Sequence, residues 1–194
     1  MRQNKEKYFN ETIAYRNRNP LNIRYSKNVT WQGQDCNYKG AFVKFQGFSL
    51  GCRAAVKILR SYHLRGIRTI GKIIETWAPR NDNNTEAYIA NVVNFVRNAS
   101  LRNGASTYEN ENPNHNLNKK SPCRGDLEGL EYCARTQINL RDREEVVNLL
   151  LAMTRVEMGA NAAQLHELKT SAYIGYDLAA TTPGFFKGIN KLTK

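Results

Sequence analysis

Five stretches of this chain repeat apolar residues at intervals of three and four, which is the spacing of one buried face of an α-helix. They begin at Leu50, Ile70, Tyr88, Val146 and Leu165. With 194 residues, the chain is long enough to bury a core without disulfides or metals, and one domain is the usual number for this length. The pattern therefore predicts a mainly α fold, arranged as a single compact helical domain.

Local signals predict where these helices begin and end. Ser49 is a candidate cap for the first helix, Thr69 begins the second, and Pro79 stops it. Asp142 precedes an acidic first turn, which is a capping signal, and Gly159 ends the same helix.

The remaining segments are less regular. Residues 25–48 alternate weakly, contain three glycines, and have their best strand candidate at 41–45, so they predict a small β-hairpin. Residues 103–126 are rich in Asn, Ser, Pro and Gly and predict a polar insertion loop. We expect a basic arm at 1–12, the domain at 13–182, and a basic tail at 183–194.

The charge balance favours an anionic partner. Lys and Arg number 29 against 17 Asp and Glu, which leaves a net charge of +12. Nucleic acid, a membrane surface and the bacterial cell wall all fit this charge. No apolar run approaches the roughly 20 residues of a membrane-spanning helix, and residues 1–12 lack the apolar centre of a secretory signal. We therefore expect a soluble protein with no membrane span.

Several chemistries lack sequence support. The four cysteines form no C-x-x-C pair, and no histidine lies at zinc-finger spacing, so we expect no metal site. Cys52 fits a helix core, whereas Cys123 and Cys133 are either bridged in an oxidising compartment or, as we favour, reduced. No nucleophile motif surrounds the histidines and no glycine-rich phosphate loop precedes a helix, so we expect no cofactor.

Residues 16–24 read R-N-R-N-P-L-N-I-R and concentrate polar donors in nine positions. Arginine forks grip carboxylates, phosphates or carbonyls at two points, and asparagine both donates and accepts. We therefore predict a binding loop in which Arg16, Asn19, Asn22 and Arg24 bind a substrate or support the loop that does. The alternative is an ordinary Asx-turn, because asparagine beside proline is common turn chemistry.

This segment resembles the R-G-I-R-N-N-N-P-x-N-I-R opening of a family of phage virion-associated proteins, often labelled structural proteins and related to phage muralytic enzymes. The resemblance continues in Trp31-Gln32-Gly33, in 41–45 with 51–54, in Trp77-Ala78-Pro79 with 83–89, and in 140–159. It implies a lysozyme-like domain that acts on peptidoglycan. The chain departs from the family pattern at Arg18, Ser49 and Asp82.

Glu157 is the candidate general acid. It lies at the end of an apolar helix, where unpaired carbonyls disfavour a negative charge. Its stretch M-T-R-V-E-M-G also looks like the glutamate-bearing helix end of lysozyme-like enzymes. The alternative is a helix-terminal glutamate paired with Arg155 or another surface cation. We also expect the 16–24 loop to line the same groove as Glu157.

Glycosidases usually need a second carboxylate, and Asp82 is the first candidate, with Glu86 beside it. Asp82 is equally suited to capping a helix, and a substrate-assisted mechanism would need no second acid. Trp31 and Tyr88 are candidates for stacking on sugar rings, although aromatic residues at helical spacing are commonly core residues.

These observations predict a muralytic enzyme that cleaves the glycan strand of peptidoglycan, as a glycosidase or lytic transglycosylase, with Glu157 and Asp82 as catalytic residues. The alternative is a non-catalytic virion protein that binds nucleic acid or other virion proteins through its basic surface. The expected location is the virion, or the host bacterial cytoplasm before release to the cell wall.

Overall fold

The computed structural model describes residues 9–81, 83–102 and 134–189. These residues are mainly helical, as predicted. The helices are α1 (Ile13–Arg16), α2 (Phe48–Leu64), α3 (Ile70–Trp77), α4 (Thr85–Arg102), α5 (Arg143–Met158) and α6 (Ala162–Ala180). None of the helices in these ranges is both long and apolar enough to cross a membrane.

The described residues form two compact units, the first from 9–66 with 139–189, and the second from 67–81, 83–102 and 134–138. The single domain expected over 13–182 stays a prediction. Asp82, the loop at 103–126, Cys123 and Cys133 lie outside the described residues.

In the first unit, α6 packs against both α2 and α5. Gly175 of α6 allows α2 to approach closely, because a Cβ atom there would lie 2.5 Å from the Cys52 Cβ and 2.7 Å from the Ser49 carbonyl oxygen. The fully buried side chains of this core include Val56, Leu59, Val147, Leu149, Leu150 and Met153. Burial of each such side chain contributes about 1.5–3 kcal/mol relative to exposure, so this apolar contact is the main source of helix stability.

The ends of α5 follow the predicted signals. The Asp142 side chain accepts a hydrogen bond from the Glu145 amide at 3.1 Å, and Gly159 ends the helix in the left-handed region at φ 62°. Asn161 then caps α6 through a capping box with Gln164. The helix predicted from Leu50 onward forms as α2, but its predicted cap was wrong, because the helix begins at Phe48 after an extended Gly47, and Ser49 lies inside its first turn.

The small β-hairpin predicted within 25–48 does not form as paired strands. In this described segment the pairing is limited to isolated antiparallel bridges, Arg24 with Phe42 and Gln34 with Phe45. A left-handed Gly33, at φ 72°, and several turns interrupt the segment between them. Because glycine, asparagine and aspartate favour turns over extended pairing, the weak alternation is not enough to hold a continuous ladder.

The second unit contains α3 packed against α4. Thr69 caps α3 as predicted, since its side chain accepts from the Lys72 amide at 3.4 Å. The buried Thr85 hydroxyl donates to the Ala78 carbonyl at 2.7 Å, which fixes the turn between the two helices. Thr69 also pairs with Gln137 in an isolated antiparallel bridge.

Residues 183–189, the described part of the predicted basic tail, pack on the first unit. Phe185 and Ile189 are buried. The Arg60 guanidinium of α2 donates to the carbonyls of Gly184, Phe185 and Lys187. These contacts hold the segment against α2.

Candidate functional site

Asn19 holds the predicted binding loop in shape. Its side chain is completely buried, and its amide donates to the carbonyls of Ile23 and Val43 at 2.9 Å each. Its carbonyl oxygen accepts from the Ile23 amide, also at 2.9 Å. Because these bonds consume the side chain's hydrogen-bonding groups inside the protein, Asn19 supports the loop and does not face a ligand.

The loop is also pressed against α2. Two of its residues, Pro20 and Leu21, are buried. A Cβ atom at Gly51 would lie 2.5 Å from the Arg18 carbonyl oxygen and 2.9 Å from the Pro20 Cδ. Only glycine permits this approach, so Gly51 of α2 and the loop form one packed element.

Asn22 and Glu157 lie together in the first unit, as the hypothesis of a shared site requires. The Asn22 Nδ2 donates to the Glu157 carboxylate Oε2 at 3.1 Å and lies 3.5 Å from the Glu157 carbonyl oxygen. Glu157 is half-buried in the last turn of α5. The catalytic role of Glu157 stays a prediction.

The loop arginines are exposed on the surface of the same unit. Arg16 ends α1, and the Arg24 guanidinium lies 5.7 Å from the centre of the Phe42 ring. Arg18 has a left-handed backbone, at φ 49°, and lines a cavity of about 400 Å³. That cavity also contains an ion pair of 3.7 Å between Lys44 and Asp35. The loop therefore presents positive charge to solvent, as a site for anions would.

The proposed stacking residues fall in different units. Trp31 is half-buried in the first unit, where its amide donates to the Gln34 side chain at 3.1 Å. Tyr88 belongs to α4 of the second unit and is 6% exposed. A tyrosine buried to this extent packs as a core residue, which was the alternative for helical aromatic residues. Asp82, the predicted second acid, lies outside the described residues.

Glu86, the other candidate for the second carboxylate, is tied to an arginine. Its Oε1 accepts from the Arg80 Nε at 2.6 Å, and Arg80 also pairs with Glu75 at 3.2 Å. The hydrogen bond from Arg80 lowers the pKa of Glu86, with a backbone hydrogen bond in the same direction. A carboxylate held ionised in this way is a poor proton donor, which leaves Glu86 only the role of base or nucleophile, and that role stays a prediction.

Glu145 has an environment that sequence reasoning missed. The pKa of its carboxyl is raised to about 7, mainly by burial and with a smaller contribution from the Asp142 charge, against a backbone hydrogen bond from Asn139 that lowers it. The sequence signal was modest, namely an acid placed directly before the apolar pair Val146 and Val147. Its titration near neutral pH makes Glu145 a contributor to pH-dependent stability.

Within residues 9–81, 83–102 and 134–189, no cluster of three or more His, Cys, Asp or Glu side chains is arranged to hold a metal ion. Cys36 and Cys52 carry free thiols. Burial raises the pKa of the Cys52 thiol to about 12, so this residue behaves as a small apolar side chain in the core.

No protein-family profile matches the chain. The chain is similar to Protein P5 of Pseudoalteromonas phage PM2, with 39% identity over 87 residues. That alignment covers 43% of this chain and 52% of Protein P5, so the chain spans about half the length of this relative. The similarity connects part of the chain to a phage protein.

Proposed function

We propose that this chain is a phage virion protein that binds DNA or other virion components through its positively charged surface. The observation that carries the proposal is the similarity to Protein P5 of phage PM2. The resemblance of the 16–24 loop to phage virion-associated proteins supports it from a second direction.

The charge of the chain suits such a partner. The excess of 12 positive charges, 29 minus 17, exceeds what internal ion pairs can neutralise. A surface with this excess attracts phosphate polyanions and speeds their association. The loop arginines Arg16, Arg18 and Arg24 are all exposed and add to this surface.

Two measurements test the proposal. Mass spectrometry of particles purified from cells infected with the encoding phage should detect the chain in constant proportion to the capsid protein. Titration of the purified protein with duplex DNA should give binding that weakens steeply with salt, because neutralised phosphates release counterions. A chain absent from washed particles, or present in them in no fixed proportion, would contradict the virion assignment. Without salt-sensitive DNA binding, the partner would have to be another virion component.

A second candidate function is cleavage of the glycan strand of peptidoglycan. One observation favours it, the hydrogen bond of 3.1 Å between the Asn22 amide and the Glu157 carboxylate. A carboxyl group at a helix end, oriented by a fixed amide and bordered by a donor-rich loop, has the parts of a general-acid site. Asp82, the predicted second acid, lies outside the described residues. A substrate-assisted mechanism, which needs no second acid from the protein, is the form that we propose for this candidate.

In this mechanism Glu157 would protonate the oxygen of the departing sugar while the N-acetyl oxygen of the substrate attacks the anomeric carbon, and water would then open the resulting ring. Asn22 would orient the carboxyl group. The loop arginines would bind the carboxylates of the wall peptides. Release of soluble fragments from purified cell walls tests this candidate directly, because a purely structural protein releases none.

A further inference from the structure

Three basic residues of α2 form a row along one side of the helix. Arg53, Lys57 and Arg60 are separated by four and then three positions, which are the spacings of neighbours on a helix surface. At a rise of about 1.5 Å per residue, the row extends about 10 Å. All three side chains are half-buried, so each has a packed stem and an accessible head.

The two arginines of the row are held by hydrogen bonds, Arg60 by backbone carbonyls and Arg53 by one carbonyl and one hydroxyl. Arg53 donates from Nε to the Leu178 carbonyl at 3.4 Å and from Nη2 to the Thr182 hydroxyl at 3.5 Å. The Arg60 Nη2 donates to the carbonyls of Gly184 and Lys187 at 3.1 and 3.2 Å. These bonds engage Nε and Nη2 of each guanidinium, so the Nη1 donors stay available for a ligand.

The positive charge of the row is not neutralised by an ion pair with any described residue. Lys57 makes no hydrogen bond or ion pair with another described residue, and the ion pairs of the described chain do not include Arg53 or Arg60. Partial burial, and then the charges of Arg53 and Arg60, lower the pKa of Lys57. Such mutual repulsion is relieved when an anion binds.

We propose that Arg53, Lys57 and Arg60 form a contact site for the phosphate backbone of nucleic acid. The inference rests on the proposed function and names the surface through which DNA would be held. Each strand of duplex DNA carries one phosphate per about 3.4 Å of helix axis, so a row of about 10 Å spans about three phosphates. Fixed guanidinium groups suit this regular polyanion, because little side-chain freedom is lost on binding.

The structure indicates which residue to change. Replacing Arg60 would remove the bonds that hold residues 184–187 against α2, and replacing Arg53 would remove its bonds to the Leu178 carbonyl and the Thr182 hydroxyl, so either change would disturb the packing. Lys57 has no such structural bond, so Lys57→Gln removes one charge and leaves the packing intact. Lys72→Gln is the matched control, since Lys72 is an exposed lysine on α3 of the second unit.

The experiment measures the affinity of the wild type and both variants for duplex DNA of unrelated sequences, by fluorescence anisotropy, between about 50 and 200 mM salt. Loss of one phosphate contact should reduce the slope of log affinity against log salt by about 0.9 for Lys57→Gln. The Lys72→Gln variant should keep the wild-type slope. Equal melting temperatures for the three proteins would show that the fold is unchanged.

Other outcomes separate the inference from the function on which it rests. If the wild type binds DNA but Lys57→Gln keeps the wild-type slope, the α2 row is not the contact site, and DNA binding still stands. If the wild type binds no DNA, both the row and the DNA partner are overturned. Binding to vesicles of anionic phospholipid in place of DNA would assign the row to a lipid surface and would also overturn the inference.

Discussion

The Asn22 Nδ2 donates a hydrogen bond of 3.1 Å to Glu157 Oε2, which joins two residues that are 135 positions apart in the chain. A carboxylate only accepts hydrogen bonds, so the NH₂ group of Asn22 must face it. The Asn22 Oδ1 is then buried without a partner in the described structure, and the backbone has a left-handed φ of 49°. Both features cost free energy at one residue, and such costs are concentrated at functional sites.

Replacement of Asn22 should separate the backbone cost from the hydrogen bond. Both Asn22→Gly and Asn22→Ala delete the bond to Glu157, but only glycine adopts a φ of 49° without strain. We expect both variants to be less stable than the wild type. In urea unfolding, the free energy of unfolding of the alanine variant should be about 1 kcal/mol lower than that of the glycine variant. Asn28→Ala, at an exposed position, is the control. Equal stabilities of the two Asn22 variants would contradict the left-handed geometry.

Asn19 should be among the most sensitive polar positions of the chain. Asn19→Ala removes three buried hydrogen bonds and leaves the Ile23 amide and the Val43 carbonyl without these partners, whereas the Ile23 carbonyl still accepts from the Val43 amide. At about 1–3 kcal/mol for each unsatisfied group, the free energy of unfolding should fall by about 3–5 kcal/mol. The exposed Asn37 offers a comparison, because Asn37→Ala should change stability by less than about 0.5 kcal/mol. A similar small effect at Asn19 would show that the loop does not depend on these bonds.

Gly175 should not tolerate a side chain. A Cβ atom there would overlap the Cys52 Cβ and the Ser49 carbonyl oxygen, so Gly175→Ala must separate α2 from α6. We expect the free energy of unfolding to fall by about 1–3 kcal/mol or more, and the melting temperature to fall with it. Gly159→Ala is the control, since its Cβ would meet no atom within 4 Å and its cost comes only from a φ of 62°. A smaller loss at Gly175 than at Gly159 would mean that the two helices pack less tightly.

The helices were predictable because their signals are local. Apolar spacing identified α2 to α6 but not the four-residue α1, and the caps at Thr69 and Asp142 are formed with amides three residues away. The beginning of α2 was missed because Gly47 caps it without a side-chain bond, which leaves no signal in the residue types. The prediction of a hairpin was wrong for a related reason, since the weak alternation of residues 25–48 did not reveal that turns interrupt this segment.

The candidate site was less predictable because it depends on distant contacts. The loop was selected from its residue types and Glu157 from its place at a helix end, and a shared groove was predicted for them, but only the fold brings Asn22 to Glu157. The buried role of Asn19 depends on Val43, which is 24 positions away. The raised pKa of Glu145 depends on burial, which a sequence shows only indirectly.

Glu145 should make stability depend on pH. Its folded pKa of about 7 lies above the ordinary value of 4.5, so the folded state binds the proton more tightly. Stability from this group is therefore full below about pH 4.5 and is lost as the pH rises to about 7. Glu145→Gln removes this dependence and should stabilise the protein by on the order of 1–3 kcal/mol above pH 7. Urea unfolding at several pH values measures the difference, and a constant difference from pH 5 to 8 would contradict the assignment.

Glu157→Gln is the decisive variant for the second candidate function. The glutamine oxygen still accepts from the Asn22 amide, so the fold and the contact should persist while the transferable proton is lost. Under the muralytic hypothesis the wild type releases cut sugar chains from purified walls, and Glu157→Gln lowers that rate by on the order of 10²- to 10⁴-fold. Glu167→Gln, at an exposed position on α6, should keep the wild-type rate. Fragments that carry free peptide ends would indicate an endopeptidase. Undiminished release by Glu157→Gln would mean that another residue is the acid. If the wild type releases no fragments, the non-catalytic virion protein is left as the function.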